Sequence, residues 1–325
     1  MTSTPTQGPL AVVLVNSGRR PRHLVTATLT GAVIAAQSRV NGGLSETLGN
    51  TAQAAFLCFL IAFVTLSVVV AASPRARSGF RAVRDGVRAG TLHPACLVAG
   101  LGGAGYVAGQ TFSVPHIGVA LFTVSAVAGQ IVFSLIADRL GLGSVGRRNL
   151  TRRRFFAAGL SVVAMAWAVS DRLGEVGFAQ VAIAAGFGAG AGIAIQMPLN
   201  GRVAVSARSN LLSGWMNASV ATVALCALML FGSVGSAEPL SWDWQPWYLY
   251  LGGFISATNV LLVTYAITKV GVLAFSVCQV LGLVVGAAAA DALSPITGTG
   301  ITWSMVGGCV VLFMAVSLLV TDRAS

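Results

Sequence analysis

The residues able to do chemistry in this sequence are few, and the best placed of them are amides. Gln37 and Asn41 stand four apart, as do Gln196 and Asn200; that spacing puts each pair on one face of an α-helix. A side-chain amide donates and accepts hydrogen bonds but carries no charge to titrate. Such pairs suit the binding of a neutral or zwitterionic small molecule. They equally suit hydrogen bonds that glue two helices together, and the residue types alone leave both roles open. Arg39, Glu46, Tyr106, Gln110, Gln130, Pro198, Asn259 and Gln279 form a second tier of candidates for cavity lining or coupling. Glu46 is the carboxylate considered for proton coupling, against a plain loop role. Pro198 is expected to break its helix and free backbone carbonyls beside Asn200.

Other chemistries find no support in the residue order. There is no GxxxxGK[ST] loop for nucleoside triphosphates, no HExxH and no GxSxG, so neither ATP hydrolysis nor an ATPase partner is implied. The run GLGGAG at 100–105 matches the dinucleotide pattern GxGxxG, but it lies inside an apolar stretch with no strand before it. The five cysteines, at 58, 96, 226, 278 and 309, are not spaced as metal ligands. No cofactor and no metal are expected, and the protein reads as a non-enzyme.

The elements that position these amides follow from composition. Of 325 residues, 55% are hydrophobic and 9% charged, with a mean hydropathy of +0.82. A charged fraction far below the ~25% usual in soluble domains makes this an all-α polytopic membrane protein. Ten apolar stretches are expected to span the bilayer: 24–43, 52–72, 94–114, 115–137, 155–170, 178–199, 211–231, 247–267, 270–290 and 301–320. Residues 1–23 read as a disordered cytoplasmic tail and 321–325 as a second short tail.

The formal net charge of +11 would suggest nucleic acid in a soluble protein. Here it sorts by topology instead. With both termini cytoplasmic, 18 of the 20 basic residues fall on the inner side; Arg39 and Arg172 are the exceptions. No nucleic-acid partner is expected; the lipid bilayer and a small-molecule substrate are, and a homodimer stays open.

The chain also repeats itself. Residues 31–42 (GAVIAAQSRVNG) and 190–201 (GAGIAIQMPLNG) agree at seven of twelve positions, Gln and Asn included. Residues 118–140 and 271–293 share ten identities in 23, including Asp138 with Asp291. The domains expected are therefore a five-helix repeat at 24–170, an outer connecting loop at 171–177 and a second repeat at 178–320. Five is odd, so the second copy enters the membrane from the opposite side. The segment after the second span carries five arginines, while the matching segment after the seventh carries Glu238 and Asp243. Inverted repeats are a transporter architecture with the site near the midplane. The site is expected between the first and sixth helices.

At Gln37-x3-Asn41, with Leu44, Gly49-Asn50 and the apolar run to Phe59, the sequence resembles the YdcZ-type branch of the drug/metabolite transporter (DMT) superfamily. Gly129-Gln130 and Asp138-Arg139-Leu140-Gly141 resemble that family's fourth helix. The chain looks like a fused tandem copy of a five-helix unit, departing in its second half where Leu283 stands opposite Gln130. The resemblance implies a ten-helix basket in the inner membrane that exports or exchanges small metabolites by alternating access, gradient-driven or facilitative. A non-transporting scaffold and, less readily, an intramembrane enzyme are the alternatives.

Overall fold

The computed structural model describes residues 21–142, 151–170, 177–232, 240, 242–293 and 302–322. Residues 1–20 and 323–325 of the expected tails, and 171–176 of the expected connecting loop, lie outside the described residues, as does Glu238. Every regular element among the described residues is helical. In chain order these are α1 (Pro21–Leu48), α2 (Thr51–Ala72), α3 (Pro74–Arg88), the 3-10 turn η1 (Pro94–Val98), α4 (Gly100–Leu140) and α5 (Arg152–Ala168). There follow α6 (Phe178–Ala207), α7 (Asn210–Gly232), η2 (Trp247–Tyr250), α8 (Leu251–Leu293) and α9 (Trp303–Asp322).

Among the described residues, four stretches are long and apolar enough to cross a membrane: Thr51–Ala72, Pro94–Leu140, Phe178–Ala207 and Asn210–Gly232. Their outer faces are apolar as well. Val68, Val223 and Phe231 are exposed at 67%, 71% and 80%, a pattern that water penalises and hydrocarbon favours.

At ~1.5 Å per residue α4 would be ~60 Å long, twice a hydrocarbon core of ~30 Å. It is not straight. Gly118 sits at φ 78, ψ 170, outside the helical region, and splits α4 into two legs. Pro115 lies three residues earlier, where its missing N–H already weakens the helix. The boundary expected at Pro115 thus falls at Gly118, the residue without a Cβ to oppose a positive φ.

The arginine-rich segment expected as a loop after α2 is instead the helix α3. Ser73 ends α2 and its hydroxyl caps α3, accepting from Ala76 N at 3.3 Å, and Pro74 occupies the first turn. Ala76, Gly79 and Val83 are buried along one face. Arg77, Arg81, Arg84 and Arg88 are exposed along another. The helix packs against α6 and α7, with Gly79 against Ala207 and Leu212.

Packing follows a reciprocal scheme. The principal neighbours are α1 with α8, α6 with α4, α5 with α9 and α2 with α7. The close crossings are built from glycine, and they occur twice. Gly31 of α1 lies against the Gln279 carbonyl of α8, and Gly190 of α6 lies against the Ala126 carbonyl of α4. Gly282 lies against the Thr28 carbonyl, and Gly129 against that of Phe187. Gly253 meets Cys58 and Ile61, while Gly100 meets Asn217 and Val220. In each case the two contacts are related by the sequence offsets of the repeat, 159 and 153 residues. A Cβ at any of these glycines would enter a backbone atom of the facing helix. The glycines are what let these backbones touch.

The tight turns repeat too. Gly49 (φ 64) and Arg208 (φ 52) both adopt the left-handed conformation between two helices. The next residue caps in each copy: Asn50 Oδ1 accepts from Gln53 N at 2.9 Å, and Ser209 Oγ accepts from Leu212 N at 3.1 Å. Arg208 is the sole non-glycine with positive φ among the described residues.

Candidate functional site

Hydrophobic helices bury amides only at a cost unless the amides find partners. Gln37, Asn41 and Gln196 are buried, at 8%, 1% and 9% exposure, and Asn200 is half-buried. The structure gathers them into two clusters.

The first cluster joins α1, α2 and α4. Asn41 Nδ2 donates to Gln110 Oε1 at 2.7 Å, and Gln110 Nε2 donates to Ser38 Oγ at 2.7 Å. Ser38 passes its own proton back to the Ile34 carbonyl at 3.0 Å. The Cys58 thiol lies within hydrogen-bonding reach of Asn41 and Gln37, and the Tyr106 hydroxyl within reach of Gln110. The Tyr106 ring packs edge-on against Phe122, with centroids 5.5 Å apart.

The second cluster joins α6 and α7. Gln196 Nε2 and Asn200 Nδ2 both donate to Asn217 Oδ1, at 2.7 and 3.2 Å. Ser213 Oγ donates to the Asn200 carbonyl at 2.8 Å. The helix α6 runs on through Pro198 without the expected break. The Asn200 carbonyl itself accepts from the Ser213 side chain of α7.

No hydrogen bond joins the two pairs directly among the described residues, because α1 and α6 each lie along a different long helix. They meet through the first leg of α4. Gly102 and Gly103 sit beside the Gln196 amide, and Gly103 also beside Asn217; Tyr106 and Gln110 follow on the same helical stripe. Gly103 and Gln110 are seven residues apart, ~10 Å along the axis. One helix face thus carries both clusters, two turns apart.

The partner residues differ between the copies. The offset of 159 that relates Asn41 to Asn200 also relates Cys58 to Asn217. The second copy has an amide where the first has a thiol, and the first recruits Gln110, whose counterpart is Val263. Three amide oxygens stay enclosed with no hydrogen-bond partner: Asn41 Oδ1, Gln196 Oε1 and Asn259 Oδ1. Asn259 is the counterpart of Tyr106 at the offset of 153. An enclosed acceptor without a donor costs about 1–3 kcal/mol.

The remaining candidates are dispersed. Gln130 Nε2 lies 3.3 Å from the Met197 sulfur. Gln279 contributes its backbone carbonyl to the Gly31 crossing. Glu46 is exposed near the end of α1. Arg39 is half-buried; it acts electrostatically on Asp291, and its Nη1 is enclosed without a hydrogen-bond partner. Ser38, a hydroxyl common in apolar helices, carries no signal in the sequence, and Asn217 reads there as a single span amide suited first to helix packing. The offset of 159 would have placed Asn217 opposite Cys58, one helix away from Asn200.

This is an all-helical integral membrane protein with buried polar clusters between its helices. The model of the DMT family described as "Putative inner membrane exporter, YdcZ" matches it in two tandem segments, residues 23–167 and 181–318. The chain belongs to that family. No curated protein matches it.

Proposed function

We infer that the protein carries small neutral or zwitterionic metabolites across the inner membrane, as an exporter or exchanger, by alternating access. The observation that carries this reading is the reciprocity of the helix crossings. Gly31 with Gln279, and Gly190 with Ala126, are one contact made twice, which supports two related halves of five spans each. Each long helix, α4 and α8, supplies two of the ten. An odd number of spans per half makes the relation an inversion, so two arrangements of similar energy, one open to each side, are available. The amino and carboxyl termini then lie in the cytoplasm, and α3 lies on the cytoplasmic face.

The substrate site is formed by Gln37 and Asn41 with Gln110, and by Gln196 and Asn200 with Asn217. The enclosed amide oxygens take N–H or O–H donors of the substrate. No carboxylate belongs to either cluster. A permanent organic cation would need a counter-charge there, since a buried unpaired charge costs several kcal/mol; a neutral or zwitterionic molecule does not. A scaffold would have no use for two access states. Purified protein in liposomes, assayed against amino acids, nucleosides, sugars and cationic drugs, should show flux for a neutral or zwitterionic member. Flux confined to permanent cations would overturn the substrate class, and no flux across the panel would favour the scaffold.

A further inference from the structure

Asp291 stands near the end of α8 and is 4% exposed. Its carboxylate reaches across to α4, where Oδ1 accepts from Val119 N at 2.9 Å and Oδ2 from Ala120 N at 2.8 Å. Both N–H groups open the second leg of α4. The break at Gly118 leaves them without carbonyl partners in their own helix, and a carboxylate there meets the positive end of the helix dipole. A Cβ on Gly118 would stand 2.9 Å from Asp291 Oδ2, so the seat suits glycine. Arg39 of α1 adds a positive charge from a third helix, and Cys309 of α9 is near enough to interact electrostatically with Asp291. One carboxylate therefore ties three helices at one end of the bundle.

Asp138, its counterpart at the offset of 153, lies near the other end of the same leg, ~28 Å away along the axis. It is engaged differently. Arg154 Nη1 of α5 donates to Asp138 Oδ2 at 2.7 Å, a tie to the next helix in the chain. The counterparts of Val119 and Ala120 are Val272 and Leu273, which lie inside α8, a single helix from Leu251 to Leu293 in this arrangement. The two carboxylates are thus equivalent in sequence and opposite in position, with one seated and the other not.

We propose that Asp291 and Asp138 are the two latches of the transport cycle. Asp291, seated on the Val119 and Ala120 N–H groups, holds its end shut. In the opposite state α8 opens at Gly271, the counterpart of Gly118, and Asp138 leaves Arg154 to seat on the N–H groups of Val272 and Leu273 freed there, while Asp291 unseats. The arrangement described is the form closed at the Asp291 end. This proposal rests on the alternating-access reading.

The test is a pair of spin-label distances in full-length protein whose five native cysteines have been replaced. Labels at His116→Cys and Leu293→Cys report the Asp291 end; labels at Leu140→Cys and Lys269→Cys, their counterparts, report the other. Asp291→Asn should lengthen the first distance and shorten the second. Asp138→Asn should keep the first short and the second long, with exchange lost. Arg154→Gln, which frees Asp138 to seat, should act as Asp291→Asn does. Because it leaves Asp291 intact, it keeps the test alive if Asp291→Asn does not fold. An ion pair with a purely structural role would instead make Asp138→Asn and Arg154→Gln move the distances alike, and that result overturns the proposal. So does an Asp291→Asn protein with wild-type distances at both ends. If the first distance lengthens while the second stays fixed, Asp291 is a tie but the ends do not alternate, and the alternating-access reading is what fails.

Discussion

Asn41 donates its amide proton to Gln110 across 2.7 Å, joining the first helix to the first leg of α4. Gln110 in turn holds Ser38 at 2.7 Å, so a single side chain on α4 serves two residues of α1. Replacing Gln110 with alanine leaves an enclosed donor on Asn41 unpaired. The expected cost is about 1–3 kcal/mol, read as a lowered Tm in detergent. An unchanged Tm would mean that water or a rearranged Asn41 takes over the contact.

Asn200 offers the cleaner separation of binding from stability. Its partner Asn217 also accepts from Gln196 at the shorter distance of 2.7 Å, so Asn217 is not orphaned by Asn200→Ala. The variant should keep a Tm near that of the wild type and lose substrate-dependent flux. Asn41→Ala should lose flux as well, but with a lower Tm, because Gln110 Oε1 loses its donor. A pair of variants that both melt early and still transport would make these amides helix glue.

The glycine crossings give a matched set of stability predictions. Gly31→Val and Gly190→Val place side-chain atoms into the carbonyls of Gln279 and Ala126, and overpacking at that proximity should cost about 3 kcal/mol or more. The two losses should be similar, because the contacts are counterparts. Gly188→Ala, two residues from Gly190 and with nothing within 4 Å of its would-be Cβ, should be neutral or slightly stabilising through helix propensity. Thermal melts of the three variants decide it; a large loss at Gly188 would contradict the packing.

Much of this was legible in the chain, for a physical reason. Amides, glycines and aspartates are rare enough in apolar helices that their repetition at fixed offsets stands out, so Gln37 with Gln196 and Asp138 with Asp291 could be read directly. What could not be read was which helix each amide faces. Gln110 and Asn217 look alike as isolated amides, yet one serves α1 and the other α6. The α3 helix was hidden for a different reason. Its five arginines dominate any reading by charge and mask the small-residue stripe of Ala76, Gly79 and Val83 that seats it. The break at Gly118 was masked by Pro115, the more conspicuous punctuation three residues before it.

The proposed orientation in the membrane rests on the distribution of charge and is tested by labelling. Ser78 lies on α3, among its arginines, and Ser236 in the acidic segment after α7. In intact cells Ser236→Cys should react with an impermeant thiol reagent, while Ser78→Cys should react only after permeabilisation. The reverse pattern would invert the whole topology.

The central claim, that this protein alternates its access to move a small neutral or zwitterionic molecule, is tested most directly by counterflow in proteoliposomes. Vesicles loaded with unlabelled substrate should accumulate the labelled molecule transiently above equilibrium, and Asn200→Ala vesicles should not. Folded, correctly inserted wild-type protein that gives no counterflow, for any neutral or zwitterionic molecule in the panel, would contradict it.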